Sequence, residues 1–150
     1  MTRLIAAALA VLAACAGGGT SSPPPPAASV GSASSGVQLS VTMGQIFPLH
    51  MGQAASVAGV SSLIRLRSVA NDSRCPAGTQ CVQAGNAEVT FDVTVGSAAP
   101  TSVTLNTATP PRETALGNGI LRLMALSPTP LAGSTIDPST YVATLCVCRQ

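Results

Sequence analysis

The sequence predicts an all-β fold, an immunoglobulin-like antiparallel β-sandwich of about seven strands over residues 37–150, with a small β-barrel as the alternative. Three observations predict it. The hydrophobic pattern repeats every second residue rather than every 3.6. Turn residues interrupt the apolar segments at short intervals. No stretch of this region carries a helix pattern with caps.

The candidate strands follow in order. Val37 to Met43 and Ala54 to Ala58 are short apolar segments separated by the turn residue Gly52. Leu63 to Val69 alternates from Ile64 on, with Arg65 and Arg67 pointing outward. Asn71-Asp72 then breaks the run. Glu88 to Val95 is the clearest case. Val89, Phe91, Val93 and Val95 share one face, and Glu88, Thr90, Asp92 and Thr94 share the other. Thr101 to Asn106, Leu121 to Leu126 and Tyr141 to Cys148 complete the set. Gly96, Pro110-Pro111, Gly117-Asn118-Gly119, Pro128, Pro130 and Asp137-Pro138 supply the breaks between them.

Composition narrows the function classes. Charged residues are 8% of the 150, against about a quarter in an average soluble protein. All 7 basic residues are Arg, and they are scattered, so there is no basic stripe for nucleic acid. Aromatics are 2%, too few for stacking on bases or sugars. At 46% hydrophobic the chain is not simply disordered, although it holds 14 Gly and 12 Pro.

The first residues read as a targeting segment. Arg3 supplies a positive charge, Leu4 to Leu12 is uniformly apolar, and Ala13-Ala14 are small. The apolar run is shorter than the roughly twenty residues a membrane span needs. Residues 1–14 are therefore expected to be a signal peptide. Leu12-Ala13-Ala14-Cys15 resembles the bacterial lipobox. That resemblance implies a diacylglyceryl group on the sulfur of Cys15, cleavage before Cys15, and acylation of the new amino group. Several acyl chains on one residue anchor a protein stably, whereas one chain binds only marginally. Ala16 stands where the inner-membrane retention signal of enterobacterial lipoproteins has Asp. In a Gram-negative organism the resemblance thus implies the outer membrane. Cleavage removes Arg3 and lowers the net charge of +2 by one.

Residues 15–36 are expected to be the lipidated cysteine and a disordered tether. After Cys15 they are Gly, Ser, Thr, Ala and Pro, with Val30 the only larger side chain. Such a segment buries too little apolar surface to offset its ordering entropy. Pro23 to Pro26 favours an extended polyproline II spur, and the whole tether reaches about 25 Å as a coil. The single folded domain follows over 37–150.

Four cysteines remain, and in an oxidising envelope they are disulfide candidates. Cys75 and Cys81 bracket a short loop, and a bridge between them staples about 2 kcal/mol of loop entropy. Pro76 and Gly78 suit a type I turn inside that loop. Cys146 and Cys148 flank one residue on the last strand, so both sulfurs lie on one face, opposite Tyr141, Ala143, Leu145 and Val147. Four readings compete for this pair. They are a strained mutual bridge near the geometric limit of Cα separation, pairing with other cysteines, reduced and silent thiols, and a soft-metal site for Cu(I) or Zn(II). Met43, His50, Met51 and Met124 are potential further ligands, although methionines in a β-domain are more often core filler.

Asp72-Ser73-Arg74-Cys75-Pro76, followed by Cys81-Val82 and Ala84-Gly85, resembles a family of uncharacterised bacterial secreted proteins and lipoproteins. Their signature is DSRCP, a short loop, C-(I/V)-W-A-G and then a strand. Phe47, Leu49 and Gly52-Gln53 fit the family's F-x-L-x-x-G-Q segment, so the resemblance covers roughly residues 47–147. Gln83 stands where the family usually has Trp. The resemblance implies fold and location and carries no activity. Within the signature, Asp72 and Arg74 are expected to brace the loop through an Asx-type turn and charge-assisted bonds.

Catalytic patterns are sparse. His50 is the only histidine, and neither Gly-x-Ser-x-Gly nor His-Glu-x-x-His occurs. Glu88 and Asp92 share a face but stand roughly 13 Å apart, beyond a glycosidase carboxylate pair. No catalytic residue, cofactor or confident metal site is assigned, and the covalent lipid on Cys15 is the only attached group expected. The leading expectation is a non-enzymatic, lipid-anchored module that contacts another envelope component through its loops. The second is copper or redox handling through Cys146 and Cys148. The third, by fold-level analogy, is a protease-inhibitor-like module. Replacing Cys15 by Ser is expected to move the protein from the membrane fraction to the soluble fraction after cell fractionation. Continued membrane association would refute the lipid anchor.

Overall fold

The computed structural model describes residues 38–149. The expected signal peptide, Cys15 and the tether lie outside the described residues. Among the described residues nine strands form two sheets. They are β1 (Gln38–Thr42), β2 (Ile46–His50), β3 (Ala54–Ala58), β4 (Ser62–Ala70), β5 (Glu88–Val95), β6 (Thr101–Asn106), β7 (Glu113–Leu116), β8 (Gly119–Ser127) and β9 (Val142–Arg149). A single 3-10 turn, Pro138–Thr140, precedes β9. The first sheet has the order β1-β3-β4-β5-β6 and the second β2-β9-β8-β7. Among the described residues each sheet keeps two open edges, so the architecture is a sandwich and not a closed barrel.

Alternation builds the core. Val89, Phe91 and Val93 of β5 point inward, against Ile64 and Leu66 of β4 and Leu105 of β6. The second sheet answers with Phe47 and Leu49 of β2, Leu121 and Leu123 of β8, and Ala143, Leu145 and Val147 of β9. All three aromatic side chains, Phe47, Phe91 and Tyr141, are buried. The rest of the filling is aliphatic, so close packing depends on many branched side chains rather than a few large rings.

The strand count exceeds the expected seven because two segments lack a clear signal. Pro48 interrupts the apolar alternation of β2, and Pro cannot donate to a ladder. The strand forms nonetheless, since β2 is an edge and pairs only with β9. β7 spans only Glu113–Leu116 and is defined by its pairing with β8. The expected antiparallel order also has an exception, because β1 pairs with β3 in parallel. The intervening β2 belongs to the other sheet, so the chain returns to the first sheet running in its original direction. Two register shifts, at Leu66/Ser68 and Leu123/Ala125, invert the alternation. Past the second, Ala125 is exposed and Leu126 is buried, with Met124 exposed in the bulge itself.

The two outer faces differ. The first sheet carries hydroxyl and ion pairs, including Thr90–Thr104 at 3.0 Å and Arg67–Asp92 at 3.3 Å. The second carries exposed Ile46 and the sulfurs of Cys146 and Cys148 beside an Arg122–Glu113 pair at 2.7 Å. The inward placement of Phe91 sets a clear expectation. Phe91→Ala should lower the unfolding free energy by about 3–5 kcal/mol in urea denaturation. Thr90→Ala, one residue away on the outer face, should cost less than about 1 kcal/mol.

Candidate functional site

Loop 71–87 joins β4 to β5 and holds most of the chain's polar chemistry. A long loop without strands loses much conformational entropy when ordered, so its backbone needs ties. The first tie runs between its two arms. The Ser73 amide donates to the Asn86 carbonyl at 2.7 Å, and the Cys75 amide donates to the Ala84 carbonyl at 3.2 Å. Gly85 sits at this crossing with φ +65, and a Cβ there would lie 1.8 Å from the Ser73 carbonyl oxygen. Only glycine permits that approach.

The second tie is the Cys75–Cys81 disulfide, with Cα atoms 5.9 Å apart. Inside the ring the Thr79 amide donates to the Pro76 carbonyl at 3.2 Å. Gly78 occupies the third position of this turn with φ +76. A positive φ there belongs to a type II turn, which corrects the type I expectation. The turn starts at Pro76, one residue later than the Cys75 start that a type I reading assumes, and this places glycine where a left-handed conformation is needed.

The third tie is a closed hydrogen-bond network. Arg74 Nε donates to Asp72 Oδ1 at 2.8 Å, and Arg74 Nη2 donates to Asp72 Oδ2 at 2.7 Å. The Arg74 amide adds the Asx-type bond to Asp72 Oδ1 at 3.2 Å. Tyr141 donates its hydroxyl to Asp72 Oδ2 at 2.8 Å. The other side of the guanidinium donates to the Leu126 carbonyl through Nη1 and to the Pro128 carbonyl through Nη2 at 2.8 Å. The two charged side chains are only 12–13% exposed, so each donor and acceptor must be matched. Burial pushes the Asp72 carboxyl up, but the bonds from Arg74 and Tyr141 outweigh it and hold the group below its ordinary 3.8. Burial, then the bond and charge of Asp72, raise the Tyr141 hydroxyl above its ordinary 10.0.

Asp72 and Arg74 thus brace more than their own loop. They join it to the end of β8 and the start of β9. Tyr141 belongs to no motif around Asp72, and the need of a buried tyrosine for a hydroxyl partner is its one signal in the sequence. Asn86 carries no such signal. It donates Nδ2 to Asn106 Oδ1 at 2.8 Å and accepts the Ala108 amide on Oδ1 at 3.0 Å, fixing the turn after β6. The Ala77 amide donates to the Pro130 carbonyl at 2.8 Å and draws in the segment before β9.

These segments form one end of the sandwich. Two adjoining depressions of about 390 and 360 Å³ share Ala84, Gly85 and Ala108, and Gln83 borders the second. Val82 is fully exposed beside them, and Leu131 is 60% exposed. The chain matches no family model, no curated protein and no solved structure.

The remaining cysteines lie elsewhere. Cys146 and Cys148 are bridged to each other, which selects one of the four competing arrangements in this structure. Their Cα separation of 5.7 Å falls inside the usual disulfide range rather than near its limit. Strand β9 is locally contracted, since two residues of strand ordinarily span about 6.6 Å. Closing so small a ring adds only about 1.6 kcal/mol by loop entropy, against about 2 kcal/mol for the Cys75–Cys81 ring. In the bridged state neither sulfur is the thiolate that a soft metal takes as ligand. Met43 and Met51 are half-buried against the core, Met124 is exposed on β8, and His50 is exposed on edge strand β2. Among the described residues no group of three or more His, Cys, Asp or Glu converges on a metal position.

The Asp72 network generates a pH-dependent expectation. Asp72→Asn should lower stability by about 1–3 kcal/mol at neutral pH. The folded-state pKa lies below the unfolded one, so this contribution is complete above the unfolded value and is lost as pH falls through the folded value. The stability gap between wild type and Asp72→Asn should therefore close in acid. Urea midpoints measured across that range check it, and a constant gap would refute it.

Proposed function

We propose that this chain is a lipid-anchored protein of the cell envelope and that its sandwich is a non-catalytic binding module. The stapled end built on loop 71–87 is its contact surface. The observation that carries this reading is the combination of rigidity and apolar exposure in that loop. A disulfide and a closed network around Asp72 and Arg74 hold it, yet Val82 projects fully into solvent, and Leu131, which bridges to Ala77 of the loop, is 60% exposed. A loop ordered in advance loses little entropy on binding, which raises affinity without adding contacts. Exposed apolar side chains on such a scaffold favour association over solvation.

The lipobox resemblance at Leu12-Ala13-Ala14-Cys15 supports the anchor, and Ala16 supports sorting to the outer membrane. Multiple acyl chains on Cys15 would hold the module at the membrane, with residues 16–36 as a spacer about 25 Å long. The partner is then another component of the same envelope. Gln83 borders the groove, so replacement of the family's usual Trp by an amide makes this surface more polar at one point. Two strand carboxylates are engaged with Arg. Asp92 meets Arg67, and Glu113 meets Arg122.

A photo-crosslinking residue placed at Val82 in the membrane-bound protein is expected to yield a discrete protein adduct in cells. The same residue at Thr94, on the polar outer face of the first sheet, should not. Absence of adducts at Val82, or equal adducts at both positions, would overturn the reading.

A further inference from the structure

The Cys146–Cys148 bridge spans a single residue of β9, an inner strand of the second sheet. Pairing with β2 on one side and β8 on the other already fixes this strand. Leu145 and Val147, which flank and separate the cysteines, are fully buried in the core. The bridge spans a sequence separation of only 2, against 6 for Cys75–Cys81, so it constrains the unfolded chain less and adds less to the fold, and the paired strand stays in place when it opens. Cys75–Cys81 differs, because it closes a loop whose order depends on ties. Linkage makes the consequence reciprocal. A disulfide that adds little to the fold is protected little by the fold.

The two cysteines are unequally exposed. Cys146 is 4% exposed, with Ile46 and Arg122 as its cross-strand neighbours. Cys148 is half-buried, with Ile120 on the β8 side. On the β2 side Gly44 donates its amide to the Val147 carbonyl at 2.7 Å and brings no side chain. The space a side chain would fill at Gly44 is empty to 4 Å. An incoming thiolate therefore has access to Cys148 and not to Cys146.

We propose that Cys146–Cys148 is a thiol–disulfide exchange site that accepts two electrons from a dithiol partner. One partner thiolate attacks Sγ of Cys148. A mixed disulfide forms, the Cys146–Cys148 bond breaks, and its electron pair goes to Sγ of Cys146. That thiolate is released at the register of Arg122, a cation paired with Glu113. The partner's second thiolate then attacks its own sulfur in the mixed disulfide and expels Cys148. The partner leaves as a disulfide, and the two cysteines take up the two protons its thiols lost. The sandwich ends as a dithiol with its strands in place.

The test uses the wild-type folded protein equilibrated over a series of dithiothreitol to oxidised dithiothreitol ratios, with alkylation and mass spectrometry of each cysteine. Cys146 and Cys148 are expected to open at a ratio about threefold more oxidising than Cys75 and Cys81, with an unchanged far-UV circular dichroism spectrum. In a second arm, Cys146→Ser with oxidised glutathione should form a mixed disulfide at Cys148. Cys148→Ser should form one at Cys146 at least tenfold more slowly. The proposal is overturned if Cys75–Cys81 opens first, if loss of the Cys146–Cys148 bridge unfolds the wild-type domain, or if the two single thiols react at the same rate.

Discussion

The guanidinium of Arg74 is the point on which one whole end of the sandwich depends. It is bonded to the carboxylate of Asp72 on one side and to the carbonyls of Leu126 and Pro128 on the other. Tyr141 closes the remaining position on Asp72. One ion pair thereby joins the β4–β5 loop, the end of β8 and the start of β9. Taking two charges out of water is costly unless every donor and acceptor is matched. Here Asp72 accepts four bonds and the guanidinium donates four, so the cost is offset by geometry that no partial network would supply. The same bonds hold the Asp72 carboxyl below its ordinary value despite burial.

The rest of the loop's order follows from that anchor. Gly85 allows the two arms to touch, and the Cys75–Cys81 bridge closes the tip. What remains free at the surface is a small set of side chains, with Val82, Gln83 and Leu131 exposed. The contact surface we propose rests on this rigidity at one end, whereas the outer face of the first sheet carries hydroxyl and ion pairs.

Sulfur divides into two roles by position. Cys75–Cys81 lies where the backbone lacks ladder partners, so a covalent tie limits a loop that would otherwise wander. Cys146–Cys148 spans a sequence separation of only 2 within a strand paired on both sides, so its bond adds less to the fold. Unequal burial of the two cysteines then gives the pair a direction of attack that a symmetric surface disulfide would lack.

Local pattern was enough for the sandwich class and for strands such as Glu88–Val95, because a side chain's face follows directly from its parity along an extended chain. It was also enough to place Asp72 and Arg74 in a braced loop and Cys75 opposite Cys81, since those partners are close in sequence. Parity failed where the chain departs from uniform extension. Pro48 disguised β2, and the register shifts at Leu66/Ser68 and Leu123/Ala125 reversed inside and outside. Partners distant in sequence were the other gap. The Tyr141–Asp72 bond, the carbonyls that receive Arg74, the parallel β1–β3 pair and the burial of Cys146 but not Cys148 all arise when separate strands pack together. Such contacts are set by which strand lies beside which, and strand neighbours are chosen by the packing of the whole core rather than by any short run of residues.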